Sequence, residues 1–137
     1  MRRTINNIVI HCTATPQTTT VQSIQNHWQN VLKWRNPGYH LLIERDGKIN
    51  ELATFDVVTN GVAGNNANSI HISYIGGVDA NNRPIDNRTQ AQKEAILKCI
   101  AKALRYAPNA RILGHRDFPR VAKACPSFDA IKEYQFI

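Results

Sequence analysis

Residues 8–11 read Ile-Val-Ile-His. Three consecutive β-branched aliphatic residues favour a pleated, enclosed backbone, so this run is read as a buried strand that ends at His11. After it, 13–20 is rich in Thr and holds Pro16, the composition of a loop whose last threonines can cap a helix starting near Val21. Val21, Ile24, Trp28, Val31 and Leu32 recur at three- and four-residue steps and predict one apolar stripe on that helix. Asn36-Pro37-Gly38 stops it.

Residues 39–44 then read as a second strand. Arg45-Asp46-Gly47-Lys48 is a tight hairpin turn, and 48–51 returns as its partner. Periodicity is weak from 54 to 68, where Gly61, Gly64, Asn65 and Asn66 indicate a surface loop. Residues 69–75, Ser-Ile-His-Ile-Ser-Tyr-Ile, alternate with period two and predict a strand ended by Gly76-Gly77. Thr89-Gln90-Ala91-Gln92 is a capping box opening a helix to about Tyr106, with Ile96, Cys99, Ile100, Ala103 and Leu104 on its apolar face. Residues 111–114 form a last short strand, His115 follows in a loop, and Ser127 is expected to cap a short final helix to about Tyr134. The pattern is that of an α/β domain spanning 1–137, a mixed sheet flanked by helices, with no internal repeat.

Composition narrows the class. In 137 residues, 42% apolar content supports a core, and 6 Pro and 7 Gly exclude a collagen-like or low-complexity chain. Three cysteines do not make a disulfide scaffold. No apolar run approaches the roughly 18 residues of a membrane span. Met1-Arg2-Arg3-Thr4 has the charge of a signal n-region, but 5–11 is no continuous apolar segment, so cytoplasmic synthesis without a signal peptide is expected. The 17 Lys and Arg against 10 Asp and Glu leave +7, which favours polyanionic partners: nucleic acid, acidic headgroups or an anionic cell wall. The basic residues are scattered and mark no single interface.

Two histidines each follow a strand, His11 and His115, and Cys125 lies ten residues after the second. Two imidazoles and a thiolate make a three-ligand zinc set with a fourth position open, the arrangement of catalytic rather than structural zinc. The histidines are about a hundred residues apart in sequence, so spacing alone leaves surface or core roles open for each. Cys12 and Cys99 read as small buried hydrophobes, Trp28 and Trp34 as packing residues with Trp34 the better stacking platform, and His27 as exposed. His40 points opposite to Tyr39, toward the core if Tyr39 faces a cleft.

Taken in order, Ile8-Val9-Ile10-His11-Cys12-Thr13-Ala14-Thr15, Gly38-Tyr39-His40, Asn68-Ser69-Ile70, Gly76-Gly77, Gly114-His115-Arg116-Asp117 and Lys123-Ala124-Cys125-Pro126-Ser127 resemble the type-2 N-acetylmuramoyl-L-alanine amidases. The pattern is similar to that of T-odd phage lysozymes and catalytic peptidoglycan recognition proteins, over about 6–130. The resemblance implies one Zn2+ held by His11, His115 and Cys125, with Tyr39 and Lys123 as catalytic groups. It implies hydrolysis of the amide between N-acetylmuramic acid and L-alanine in peptidoglycan by a monomeric phage or prophage endolysin released through a pore. Arg116 would meet a stem-peptide carboxylate, and the cleft wall would come from 61–68, including Asn68. Three departures stand out. Gly61-Val62-Ala63-Gly64 stands where many relatives have a His-Ala pair, so Val62 lacks that histidine's polar contact; some relatives carry a glutamate near Ser73, and His71 replaces a usual Gly. His71 is therefore expected beside the metal, tuning substrate fit or proton transfer with an ordinary imidazole pKa of about 6.5. The alternatives are a non-catalytic peptidoglycan-binding module, which in this fold typically replaces the ligand cysteine, and a basic regulator that binds nucleic acid or polymerase.

Overall fold

The computed structural model describes residues 3–137; Met1 and Arg2, part of the leader-like basic stretch, lie outside the described residues. Five strands form one mixed sheet in the order β3-β2-β4-β1-β5. They are β1 (Asn7–Cys12), β2 (Leu41–Ile43), β3 (Ile49–Glu51), β4 (Ser69–Tyr74) and β5 (Arg111–Gly114). β1 runs parallel to both β4 and β5, β2 runs parallel to β4, and only the β2–β3 hairpin is antiparallel. The expected mixed α/β sheet with flanking helices is the observed architecture. Among the described residues, no helix is long and apolar enough to cross a membrane.

Alternation along the central strands sorts the two faces. Ile8, Ile10 and Cys12 of β1, Leu41 and Ile43 of β2, and Ile70, Ile72 and Tyr74 of β4 pack in one core with Ala95, Ile96, Cys99, Ile100 and Ala103 of α2 (Gln90–Tyr106). The capping box at Thr89 and Gln92 closes as read from sequence. The opposite face carries Val9, His11, His71 and Ser73, all buried. A helix seals one side of the sheet, and the other side is left to hold polar chemistry.

Two local readings are corrected. The first helix is α-helical only over α1 (Val21–Asn26) and continues as a π-helical turn over His27–Val31, with Leu32 N–H donating to the His27 carbonyl at 3.0 Å. That wider turn breaks the 3.6-residue register, so Val31 and Leu32 leave the stripe and are 63% and 41% exposed. The last helix, α3 (Ala130–Glu133), is capped by Asp129, not Ser127. Ser127 has positive φ and its hydroxyl donates to the Gly77 carbonyl at 2.8 Å.

The segment that carries Cys125 is tied down by Arg88. Its buried guanidinium donates to Asp86 Oδ1 at 2.8 Å and to both oxygens of Glu133 at 2.8 Å, and lies 3.4 Å from the Phe128 ring centre. Replacing Arg88 with Ala leaves these groups without their cation. The expected loss is about 3 kcal/mol, the low end for a broken buried pair, because both acids keep partial contact with water. Lys102→Ala, which breaks an exposed pair with Glu51, should cost under about 1 kcal/mol. Arg88 holds the Asp86 and Glu133 carboxyls below their ordinary range. Their contribution is complete above the ordinary carboxylate pKa, near 4, and is lost as pH falls through the lowered values. Denaturant midpoints of wild type and R88A should therefore converge in acid.

Candidate metal centre

His11 sits next to the last residue of β1, one residue from the point where the chain leaves the sheet. His115 follows β5 in a 3-10 turn, held by Asp117, whose Oδ2 accepts from the Gly114 N–H at 2.7 Å. Cys125 arrives on the irregular segment before α3. The Arg116 N–H donates to its carbonyl at 2.8 Å, and the Cys12 N–H donates to its Sγ at 3.2 Å. One ligand atom each from His11, His115 and Cys125 lies within 4.8 Å of the others. The fold thus brings together the three residues that sequence spacing alone left far apart.

The electrostatics suit a cation. Burial, and then the nearby His71, His115 and Lys123, push the His11 imidazole well below its ordinary pKa; burial and Lys123 lower His115. Both rings stay neutral and offer a lone pair. The Cys12 thiol and burial push the Cys125 thiol well above its ordinary range, so ionising it calls for a positive partner. A two-imidazole, one-thiol donor set at one end of a cleft is the chemistry that zinc takes.

The cleft has a volume of about 710 Å³. His11, His115, Cys125, Tyr39 and Lys123 all line it, with Trp28 and Trp34 on one wall and 60–63 with Asn65 on another. Tyr39 is half-buried, 5.0 Å from the His11 ring between centroids, and its hydroxyl donates to the Cys12 carbonyl at 3.4 Å. Burial, then the neighbouring Cys125 and Cys12, raises its pKa above the ordinary tyrosine value, so it remains a donor. Lys123 is exposed at the same cleft.

Three expected substrate contacts fall elsewhere. Arg116 is exposed and does not line the cleft, because the turn after His115 carries it away. Asn68 is exposed on a separate polar hollow with Asn6, Asn7 and Arg111, since its carbonyl is drawn back to the Asn6 N–H at 2.8 Å. His71 is fully buried, so it cannot touch a substrate in the cleft. Burial, then the charges of His40 and His115, hold its pKa well below the ordinary value, which removes it as a group titrating near neutral pH. His40 is buried as well, its Nδ1 accepting from the His71 N–H at 3.0 Å. The sequence reading missed Asn66, whose Oδ1 lies 2.9 Å from His71 Nε2. Its only signal was membership of an Asn-rich loop, which does not separate it from its neighbours.

A parallel-cored α/β sheet thus sets two imidazoles and a thiol that could hold a metal ion at a strand-end cleft. The sequence model of the N-acetylmuramoyl-L-alanine amidase family matches residues 1–128, and the chain belongs to that family. It is 33% identical to an endolysin of Klebsiella phage KP32 over 93% of this chain and 84% of that one. It is 32% identical to the endolysin of Escherichia phage T7, with the same shares covered. In structure it is similar to the ectodomain complex of peptidoglycan recognition proteins LCa and LCx, with a TM-score of 0.81, 26% identity, and 98% and 84% of the two chains covered. An endolysin from a Thermus scotoductus bacteriophage shares the fold, with a TM-score of 0.77, 23% identity, and 92% and 79% covered.

Zinc retained after gel filtration provides a test of the donor set. Cys125→Ser should lose most of it, because a neutral hydroxyl is a far poorer ligand than a thiolate. Cys99→Ser should keep it: that thiol packs against α2 neighbours on the other face, and burial pushes it up to about 12.

Proposed function

We propose that the chain is a zinc-dependent N-acetylmuramoyl-L-alanine amidase that cuts the amide joining the lactyl group of N-acetylmuramic acid to L-alanine. The observation that carries this reading is the convergence of His11, His115 and Cys125 within 4.8 Å at a cleft large enough for a peptide, in a chain of the amidase family. We further propose that it acts as a phage or prophage endolysin, reaching the wall through a pore. The endolysins it resembles across most of its length support that role. A fold relative solved with tracheal cytotoxin bound supports a peptidoglycan fragment as the ligand. Retention of all three donors favours catalysis over passive binding.

An amide is a poor electrophile. Zinc held by His11, His115 and Cys125 would supply Lewis acidity, polarising the carbonyl and making water acidic enough to ionise near neutral pH. The chain's own groups do the remainder. Tyr39, kept protonated by its burial, donates a hydrogen bond toward the carbonyl oxygen as negative charge develops there. Its present acceptor is a long bond to the Cys12 carbonyl, which costs little to exchange. The Lys123 ammonium, at the same cleft, adds a positive charge opposite the oxyanion. Trp34 and Trp28, stacked at 6.4 Å between ring centres, give the substrate a rigid apolar wall.

Purified protein incubated with peptidoglycan should release intact stem peptides and lactyl-bearing glycans, read by mass spectrometry. New reducing ends instead would mean a glycosidase. Exhaustive chelation should abolish turnover, with zinc restoring it. Tyr39→Phe and Lys123→Ala should each lose about 10²–10³ in rate while keeping zinc. Metal loss in proportion to rate would make these two residues supports of the site rather than participants.

A further inference from the structure

His71 lies buried behind His11, and its surroundings fix its ring. Its Nδ1 lies 2.8 Å from Nε2 of His11, and its Nε2 lies 2.9 Å from Oδ1 of Asn66. That same Oδ1 accepts from the Val62 backbone N–H at 2.8 Å. A backbone N–H can only donate, so the atom it faces is the amide oxygen, and His71 Nε2 must carry the proton that points at it. A neutral imidazole protonated at Nε2 accepts at Nδ1. His11 therefore donates from its own Nε2, and its Nδ1 keeps the ring's lone pair, facing Cys125 Sγ at 3.8 Å.

The space for this ring is also specific. A Cβ on Gly61 would lie 2.3 Å from His71 Nδ1 and 2.4 Å from its Cγ, closer than any packing allows. The ring is fully buried and cannot swing aside into water. Gly61 and His71 are therefore a coupled pair: the bare loop residue makes the cavity that the strand histidine fills. β1–β4 pairing sets Val9 opposite His71 and His11 opposite Ser73, which puts the two histidines diagonally adjacent on one face.

We propose that Val62 N–H, Asn66 and His71 form a positioning relay that locks His11 in the tautomer presenting Nδ1 to the metal, with Gly61 as its steric licence. The relay acts through His11 and touches neither metal nor substrate. It rests on the zinc reading above only for its consequence; the tautomer itself belongs to the protein without metal. Outer-shell partners of this kind typically carry about 10–100-fold in metal affinity.

The test has two arms. With 15N-labelled histidine in the full chain freed of metal, long-range NMR correlations should show His11 and His71 both protonated at Nε2. Asn66→Ala should scramble the His71 tautomer, and Asn66→Asp, which keeps an acceptor for both donors, should restore it. His11 found protonated at Nδ1 in the wild type would overturn the proposal. In the second arm, zinc affinity is measured by competition with a chelating dye. His71→Gly and Gly61→Ala should each lower it about 10–100-fold. Adding Gly61→Ala to His71→Gly should cost little more, because the ring it displaces is gone. Additive losses, or undiminished affinity in the single variants, would overturn the relay alone. A wild type that takes up no zinc would overturn the metal reading, and the relay's consequence with it. Because Asn66 is only half-buried, its variants keep the first arm decisive should His71→Gly fail to fold.

Discussion

Parallel strands cannot be joined by a tight turn, so β1 and β4 meet only after the chain has passed through α1, the β2–β3 hairpin and the loop that becomes the cleft wall. That one pairing organises the molecule. Its register aligns Ile8 with Ile70 and Ile10 with Ile72, giving α2 a continuous aliphatic surface to cover. Because side chains alternate, the same register puts His11, His71 and Ser73 together on the opposite face. A slip by one residue would exchange the two faces, burying imidazoles against α2 and turning isoleucines toward the cleft. Burial of the Ile face thus holds the site in place, and Cys125 packs into that same core.

What the sequence made legible was decided by how local the governing physics is. The β-branched run at 8–10 and the Thr89–Gln92 capping box are each settled within a few residues and form as read; the hairpin turn forms too, but closes from the Gly47 N–H to the Glu44 carbonyl at 2.8 Å, with positive φ at Gly47 and not at Asp46. The π-turn at His27–Val31 was not legible, since a single inserted residue leaves apolar spacing nearly intact while rotating everything after it. Ser127 and Asp129 are both good caps by type. Ser127 is instead pulled to the Gly77 carbonyl, a partner fifty residues away that no local rule can see.

The site divides along the same line. His11, His115 and Cys125 were readable as donors because residue type restricts what can bind a metal, and the ordered motifs around them carried the pairing that spacing could not. Their supporting groups were less readable. Asn66 looks like any loop asparagine, and Gly61 like any loop glycine, until the ring of His71 is placed between the loop and the sheet. Arg116 and Asn68 show the reverse error: adjacency to a motif suggested a role, but one turn of backbone sends each side chain away from the cleft.

The charge balance of the centre explains why its donors are arranged as they are. The chain already carries +7, and Lys123 stands at the cleft, so a divalent cation arriving there meets repulsion. Two neutral histidines offer lone pairs but no compensating charge. A thiolate supplies it, yet a permanent thiolate buried beside Cys12 would be costly in the absence of metal. Burial and the Cys12 thiol favour the protonated form of Cys125, and a cation held by the three donors would supply the charge that favours the thiolate. The Cys12 N–H, already aimed at Sγ, would stabilise that anion with no rearrangement of the backbone. Holding the remaining ring nitrogens in one tautomer serves the same end, because a site whose charge appears only on binding gains most when its neutral ligands need no reorientation.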